Sequence, residues 1–292
     1  MSAPVRRVGL LGHIGRPGVR RAAARLARML ARRGCAVRLD AALAREMGHT
    51  GVAISELARW CQVMIALGGD GTALNGARAM AGRRGVLLPV NLGGLGFLTV
   101  AEEGDLASAT RQAFSGRWPV VRRRLVGAVV RRGRRVVHRA RAMNDAVVKT
   151  AGGYSALHLR MTALGHDLGH LVADGVICAS ASGSTAYSLS AGGPVLAPDV
   201  EAFVVTPVCP HTLGSRPLVL SPSGHVTLRV LGSFDRAMLL LDGQESLDVA
   251  PGDEVEVGLT RAVVRMFQNP ARPFGRSLQA KLGWQGSERR SL

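Results

Sequence analysis

Short apolar runs alternate with apolar stripes at helical spacing along the first 117 residues. Arg7 to Leu11 reads as a strand, and Val19 to Arg33 as a helix with Ala22, Leu26, Met29 and Leu30 on one face and Gly34 as its stop. Cys35 to Leu39 is a second strand, followed by a short helix through Trp60 that Ser55 could cap. Cys61 to Leu67, helical Thr72 to Ala81, strand Val86 to Asn91 and helical Asp105 to Phe114 continue the alternation. Unbroken apolar strands between amphipathic helices predict a parallel sheet covered on both faces. Ligands of such sheets sit beyond the carboxyl ends of the strands, where Gly68–Thr72 and Asn91–Phe97 fall.

From about Trp118 the period changes. Leu125–Val130, Arg134–His138, Ala156–Thr162, His225–Val230, Ala237–Leu241 and Glu254–Leu259 are β-rich runs. Turn signals separate them at Arg132-Gly133, Ser223-Gly224, Asp242-Gly243 and Pro251-Gly252-Asp253. This predicts an α/β domain over residues 1–118 and a mostly β domain over 119–267, with a weakly helical tail, 268–292, returning to the first.

Composition narrows the function classes. At 292 residues with 47% hydrophobic content, the chain can build two proper cores. No apolar run approaches the roughly 18 residues of a membrane span, and Met1 to Leu11 reads as a strand, not a signal peptide. Four widely spaced cysteines, with no CxxC pair, suit a reducing cytoplasm and argue against a disulfide framework or zinc site. The net charge of +18 raises nucleic-acid binding as an alternative, but it is almost entirely arginine spread along the chain, with Lys149 and Lys281 the only lysines and few aromatics to stack bases.

The chemistry concentrates in a few segments. Leu67-Gly68-Gly69-Asp70-Gly71-Thr72 follows a strand and opens a helix, an arrangement whose backbone N–H groups attract anions. Asp70 would repel a phosphate there unless it holds a metal, takes a proton or faces the other reactant. The loop matches neither the Walker A nor the dinucleotide fingerprint. Val172 to Pro194 passes from an apolar strand into a turn dense in hydroxyls and glycine, and then into a short helix. Small residues let a ligand approach the backbone and the hydroxyls give directional bonds. Ser184 lies outside any GxSxG elbow, which weakens a hydrolase reading. Asn144-Asp145 offers donors and acceptors for a base edge or ribose. His166 to His170 reads as a hairpin turn in preference to a metal site, and Cys209-Pro210-His211-Thr212 as a rigid loop wall.

Taken in order, these segments resemble the NAD kinase family over nearly the whole chain. The likeness rests on Gly68–Thr72, Asn91–Leu98, Asn144-Asp145, Asp174-Gly175, Gly183–Pro194, Pro210-His211-Thr212-Leu213 with Arg216-Pro217, Asp242-Gly243-Gln244, and Lys281–Trp284. The glycine loop alone is shared with diacylglycerol and sphingosine kinases, so a lipid kinase is the competing enzyme reading. The Gly-Ser-Thr-Ala-Tyr and Pro-His-Thr-Leu segments are the specific ones. The resemblance implies a Rossmann-like parallel sheet joined to a β-sandwich-like domain. It implies phosphorylation of the adenosine 2′-hydroxyl of NAD to give NADP, with ATP or polyphosphate as donor and Mg²⁺ or another divalent cation accompanying it. By that likeness Asp70 is the general base, while Gly68, Gly69, Gly71 and Thr72 cradle the donor phosphates. Asn144, Asp145, Asp174, Thr185, Ala186, Tyr187, Ser188, Leu189, Ser190 and Gln244 hold the dinucleotide. A homodimer or homotetramer is implied, a neighbouring subunit completing the site; neither a membrane nor a specific nucleic acid is. Three positions depart from the commonest pattern: Asp145 where Glu is usual, Ala181 in place of a frequent Pro, and Val172 where several bacterial relatives carry a basic residue.

Overall fold

The computed structural model describes residues 5–94, 96–152, 156–233 and 236–283; Leu95 and Trp284, both in segments that carry the resemblance, lie outside them. The chain divides into two compact units, one running to Arg122 and resuming at Val264, the other spanning Arg123–Val263.

In the first unit the alternation becomes β1 (Arg7–Gly12), α1 (Val19–Ala31), β2 (Ala36–Leu39), α2 (Ala41–Glu46), α3 (Ile54–Trp60), β3 (Val63–Gly68), α4 (Asp70–Met80), β4 (Val86–Asn91), β5 (Ala101–Glu102) and α5 (Leu106–Phe114). The sheet is parallel in the order β2-β1-β3-β4, and β3 and β4 are buried at every position. Strands covered on both faces have no solvent side, so they read as continuous apolar runs. The strand order reverses between β1 and β3. At such a switch point the loops leaving the two strands diverge and open a crevice beyond the sheet.

Local differences from the sequence reading have physical causes. α4 starts at Asp70, two residues early, so the carboxylate belongs to the first helical turn. α3 starts at Ile54 with Ala53 at its N-cap, which places Ser55 inside the helix and not at its cap. α2 was not expected. It is nucleated by Asp40, whose side chain accepts the N–H groups of Ala42 and Leu43 at 3.1 and 3.3 Å. The other Asp40 oxygen accepts the Gly12 N–H at 3.0 Å, tying the end of β1 to this cap.

The second unit contains β6 (Val120–Arg132, entering from the first unit), β7 (Arg135–Ala142), β8 (Asp145–Thr150), β9 (Leu157–Ala163), β10 (His166–Ala173), β11 (Gly175–Ser180), a 3₁₀ turn at Gly183–Thr185, α6 (Tyr187–Ser190), β12 (Phe203–Val208), β13 (Leu218–Leu220), β14 (His225–Ser233), β15 (Ala237–Leu241), β16 (Glu245–Val249) and β17 (Glu254–Phe267). One antiparallel sheet runs β7-β6-β17-β14-β9-β10 and the other β13-β12-β11-β8-β15-β16. They share a core in which Val148, Val176, Cys178 and Leu239 of one sheet meet Leu159, Leu228, Val255 and Val257 of the other. The intervening residues Val147, Ile177 and Ala179 face the opposite way, beside Leu240 and Val208 of the same sheet, and pack against Ala191, which follows α6. The sheet carrying β8 and β11 is therefore buried on both faces near α6, which is why these strands lack a period of two. The β9–β10 turn lies at Leu164-Gly165, both in the left-handed region at φ 55° and 76°. His166 to His170 is thus strand and not turn, and His170 meets His158 across the hairpin at 3.2 Å.

The end of β17 returns to the first unit, where Arg265 and Met266 pair with Val86 and Leu87 of β4. α7 (Phe274–Leu282) follows. Arg272 pairs with Glu102 at 2.9 Å and Asp105 at 3.1 Å, and Asn269 donates to the Val100 carbonyl at 3.0 Å. These bonds fix the segment after β4.

Candidate active site

In the first unit the site is built around Asp70. β3 delivers the chain into Gly68-Gly69, and the helix that follows places the carboxylate at its N-terminus, where the helix dipole favours negative charge. The two Asp70 oxygens accept the N–H groups of Phe97 and Leu98 at 2.8 and 3.2 Å. A β-carbon on Gly96 would overlap this carboxylate, so only glycine allows the approach. The loop around it is stapled from within. Asn91 accepts the Gly93 N–H at 2.9 Å, and the Thr99 hydroxyl accepts that of Gly96 at 3.0 Å. α7 packs on the far side, with Phe274 at 6.5 Å from the Phe97 ring centroid and the Lys281 ammonium at 5.3 Å. Asp70 is thus half-buried and held by neutral backbone donors with no cation paired to it among the described residues. Thr72 is 5% exposed and its hydroxyl has no hydrogen-bond partner among the described residues; it sits where a side chain at Gly68 would have to go.

In the second unit the organising group is Asp242, at the tip of the β15–β16 hairpin with φ 52°. Its carboxylate accepts the N–H groups of Met143, Asn144 and Asp145 at 3.0, 2.7 and 3.3 Å. This pins the entry to β8. Ser180, at the end of β11, donates to the Met143 carbonyl at 2.6 Å and accepts the Gly183 N–H at 3.1 Å. A side chain on Gly183 would strike the Asn144 backbone. Asn144, Asp145 and the start of the hydroxyl-rich turn are therefore brought together. Asn144 Oδ1 is buried without a hydrogen-bond partner among the described residues. Asp145 is only 5% exposed, and burial, with the Asp242 charge second, pushes its carboxyl up to about 7.

The hydroxyls divide by location. Ser184 is buried, donating to the Ala181 carbonyl at 2.7 Å and accepting the Leu196 N–H at 2.9 Å. Ser188 is buried and shares a 2.9 Å bond with Thr206, so its oxygen fixes the turn. Thr185 is half-buried with its hydroxyl on the Ser182 carbonyl at 3.3 Å; Ala186 and Leu189 are half-buried, and Tyr187 and Ser190 are exposed. Gln244 is exposed beside Asp242, at the same hairpin tip. Asp174 does not join this group. Ala179 pairs with Asp145, while Asp174 precedes Gly175 at the other end of β11, five residues away or about 17 Å at the usual rise. There it meets the thiol of Cys209, a non-glycine residue held at φ 46°.

Sequence reasoning missed two contributors. Asn91 and Thr99 staple the loop that carries the Asp70 donors. Their signal was available in the polar residues that bracket Gly93 to Gly96. Among the described residues no group of three or more His, Cys, Asp and Glu is placed to hold a metal, and no helix is long and apolar enough to cross a membrane.

Comparison with known proteins agrees with both halves. Residues 8–118 match the ATP-NAD kinase N-terminal domain and residues 143–267 the ATP-NAD kinase C-terminal domain. The chain is 34% identical over 280 residues to an NAD kinase of Geobacter metallireducens, covering 96% of this chain and 99% of that one. It is 36% identical over 294 residues to NAD kinase 2 of Streptomyces coelicolor, covering 97% and 98%. Among solved structures, yeast NADH kinase complexed with NADH superimposes with a TM-score of 0.89 at 25% identity, covering 99% of this chain and 91% of that one. The Archaeoglobus fulgidus NAD kinase in complex with ATP shares the fold, with a TM-score of 0.74 at 23% identity over 96% of this chain and all of that one.

Proposed function

The chain belongs to the NAD kinase family, and from that premise we propose how its residues carry out the family's reaction. The protein is an NAD kinase, transferring a phosphoryl group from a donor to the adenosine 2′-hydroxyl of NAD and releasing NADP. The comparisons give no support to a lipid kinase or a nucleic-acid binder.

Asp70 takes the proton of the 2′-hydroxyl as its oxygen bonds to phosphorus. A ribose hydroxyl is a poor nucleophile, and an aligned carboxylate lowers the barrier by removing the proton as the bond forms. The observation that carries this role is the tethering of Asp70 by two backbone N–H groups, with no cation paired to it among the described residues. The oxygens keep a fixed direction, and each retains a lone pair for the substrate. Gly68, Gly69, Gly71 and Thr72 bring the donor phosphates to the α4 N-terminus, where backbone amides offset their charge. Asn144, Asp145 and the Thr185–Ser190 turn hold the dinucleotide, with Tyr187 and Ser190 as the exposed members and Gln244 beside them. The unpartnered Asn144 amide oxygen is a waiting acceptor for an adenine amino group or a ribose hydroxyl.

The donor is ATP or polyphosphate, accompanied by Mg²⁺ or another divalent cation. Such an ion takes its ligands largely from the donor phosphates and water. When bound it neutralises charge on the transferring group. The roughly 17 Å between Asp174 and the Asp145 end of β11 is best met by a homo-oligomer in which Asp174 serves the neighbouring copy's site. Four unpaired cysteines suit a reducing cytoplasm.

One assay tests the reaction. Incubation of the purified protein with NAD, ATP and Mg²⁺ yields NADP, and replacing NAD by diacylglycerol or sphingosine yields no phosphorylated lipid. Phosphorylated lipid without NADP would overturn the reading.

A further inference from the structure

The loop leaving β1 carries a cation outside the groups of the proposed transfer reaction. Arg16 lies in His13–Gly18, between β1 and α1, and its side chain crosses to both glycine loops of the first unit. A methyl group on Gly69 would come within 3.3 Å of Arg16 Nη2, and one on Gly93 within 3.2 Å of Nη1. The guanidinium therefore lies against the main chain of the turn before Asp70 and of the turn after β4. Arg16 is exposed, and among the described residues its side chain has no ion pair or hydrogen bond. Most exposed arginines project away from the backbone into water; this one lies over two turns that lack side chains.

Its position in the topology is equally specific. β1 and β3 are neighbours, with Gly12 beside Leu67, and the His13 N–H donates to the Leu67 carbonyl at 3.0 Å. The sheet order reverses between these two strands. The loops after β1 and β3 flank the crevice where open α/β sheets bind ligands. Three features converge there: the α4 N-terminus, two glycine turns that admit close approach, and one unpaired guanidinium. A planar fork of N–H donors beside a helix N-terminus matches a chain of phosphates, and it matches the transferring phosphate better than the sugar acceptor.

We propose that Arg16 clamps the phosphate chain of the phosphoryl donor against the Gly69 and Gly93 turns. The inference rests on the NAD kinase reading and adds to it the donor-binding residue. In the transfer, the bond from the terminal phosphorus to its bridging oxygen breaks and a bond to the ribose 2′-oxygen forms. The hydroxyl proton passes to Asp70, and the electron pair left on the bridging oxygen is offset by the positive guanidinium.

The test is steady-state kinetics of Arg16→Ala and Arg16→Lys, with ATP varied at saturating NAD and NAD varied at saturating donor. The ATP series is repeated with inorganic polyphosphate. Arg16→Ala is expected to raise the donor KM by about tenfold or more while the NAD KM stays within about twofold. Arg16→Lys recovers part of the loss, because it keeps the charge without the fork. Inorganic tripolyphosphate, used as a competitor of ATP, weakens in parallel. An effect on both donors, or on only one, says which phosphate chain the residue recognises. Wild-type KM for both donors in Arg16→Ala would overturn the proposal, as would an equal rise in the NAD KM. Absence of NADP with the unaltered protein would instead overturn the kinase reading. Thermal unfolding of each variant guards against a fold defect, and the lysine variant keeps the comparison valid if alanine destabilises the loop.

Discussion

A carboxylate serves as a base only if its direction is held, and Asp70, the proposed base, is aimed by two backbone N–H bonds with no cation paired to it among the described residues. The Phe97 and Leu98 N–H groups hold it, and Gly96 gives it room. Gly96→Ala is therefore expected to lower kcat by about tenfold or more with the fold intact; circular dichroism and turnover on one preparation check it. Asp145 makes a second residue-scale prediction. Its carboxyl is pushed up to about 7 by burial and then by Asp242, against roughly 4 in the unfolded chain. Between those values the folded protein holds a proton that the unfolded one has lost, so stability falls as pH rises from about 4 to about 7. In ligand-free protein, Asp145→Asn removes that fall. Its melting temperature relative to wild type should rise from pH 5 to pH 8, by about 2–4 °C per kcal/mol recovered. A pH-independent difference between the two would refute the assignment.

At the scale of elements, the tip of the β15–β16 hairpin holds the entry to β8. Asp242→Ala leaves three backbone donors without their acceptor and puts alanine at φ 52°. It is expected to lower the melting temperature and weaken NAD binding together, at about 1–3 kcal/mol for each donor left unsatisfied. Calorimetry and NAD titration on the same variant check it. The elements themselves were largely legible. Strands buried on both faces, such as β3 and β4, announce themselves as apolar runs, and Gly34, Asp242-Gly243 and Gly252 mark real left-handed turns. What escaped was set by contacts distant in sequence. α2 depends on Asp40 also receiving Gly12, and the role of Ser188 depends on Thr206. The Asp70 turn was visible as a site, but its donors lie 27 and 28 residues away, and no local pattern could join them. Arg16 was hidden for a different reason: in a chain this rich in arginine, one more carries no signal until the fold places it over glycine.

At the scale of the molecule, the two units divide the work. In the proposed reading the first unit holds the base and the donor-phosphate turn, and the second holds the dinucleotide contacts. Asp174 stands apart from its own chain's Asn144–Asp145 group, and in the proposed homo-oligomer it serves the neighbouring copy's site. Mixing Asp70→Ala with Asp174→Ala chains, each nearly inactive alone, should restore roughly a quarter of wild-type turnover, the statistical share for a two-fold pair in which one site per heterodimer is intact. No recovery after subunit exchange would confine the site to one chain. The most direct test of the central claim is turnover and NAD affinity measured side by side for Asp70→Asn, which keeps the size of the side chain and removes its basicity. Turnover is expected to fall by about 10²–10⁴ while NAD binds within a few-fold of wild type. Near-normal NADP formation by that variant would contradict the account.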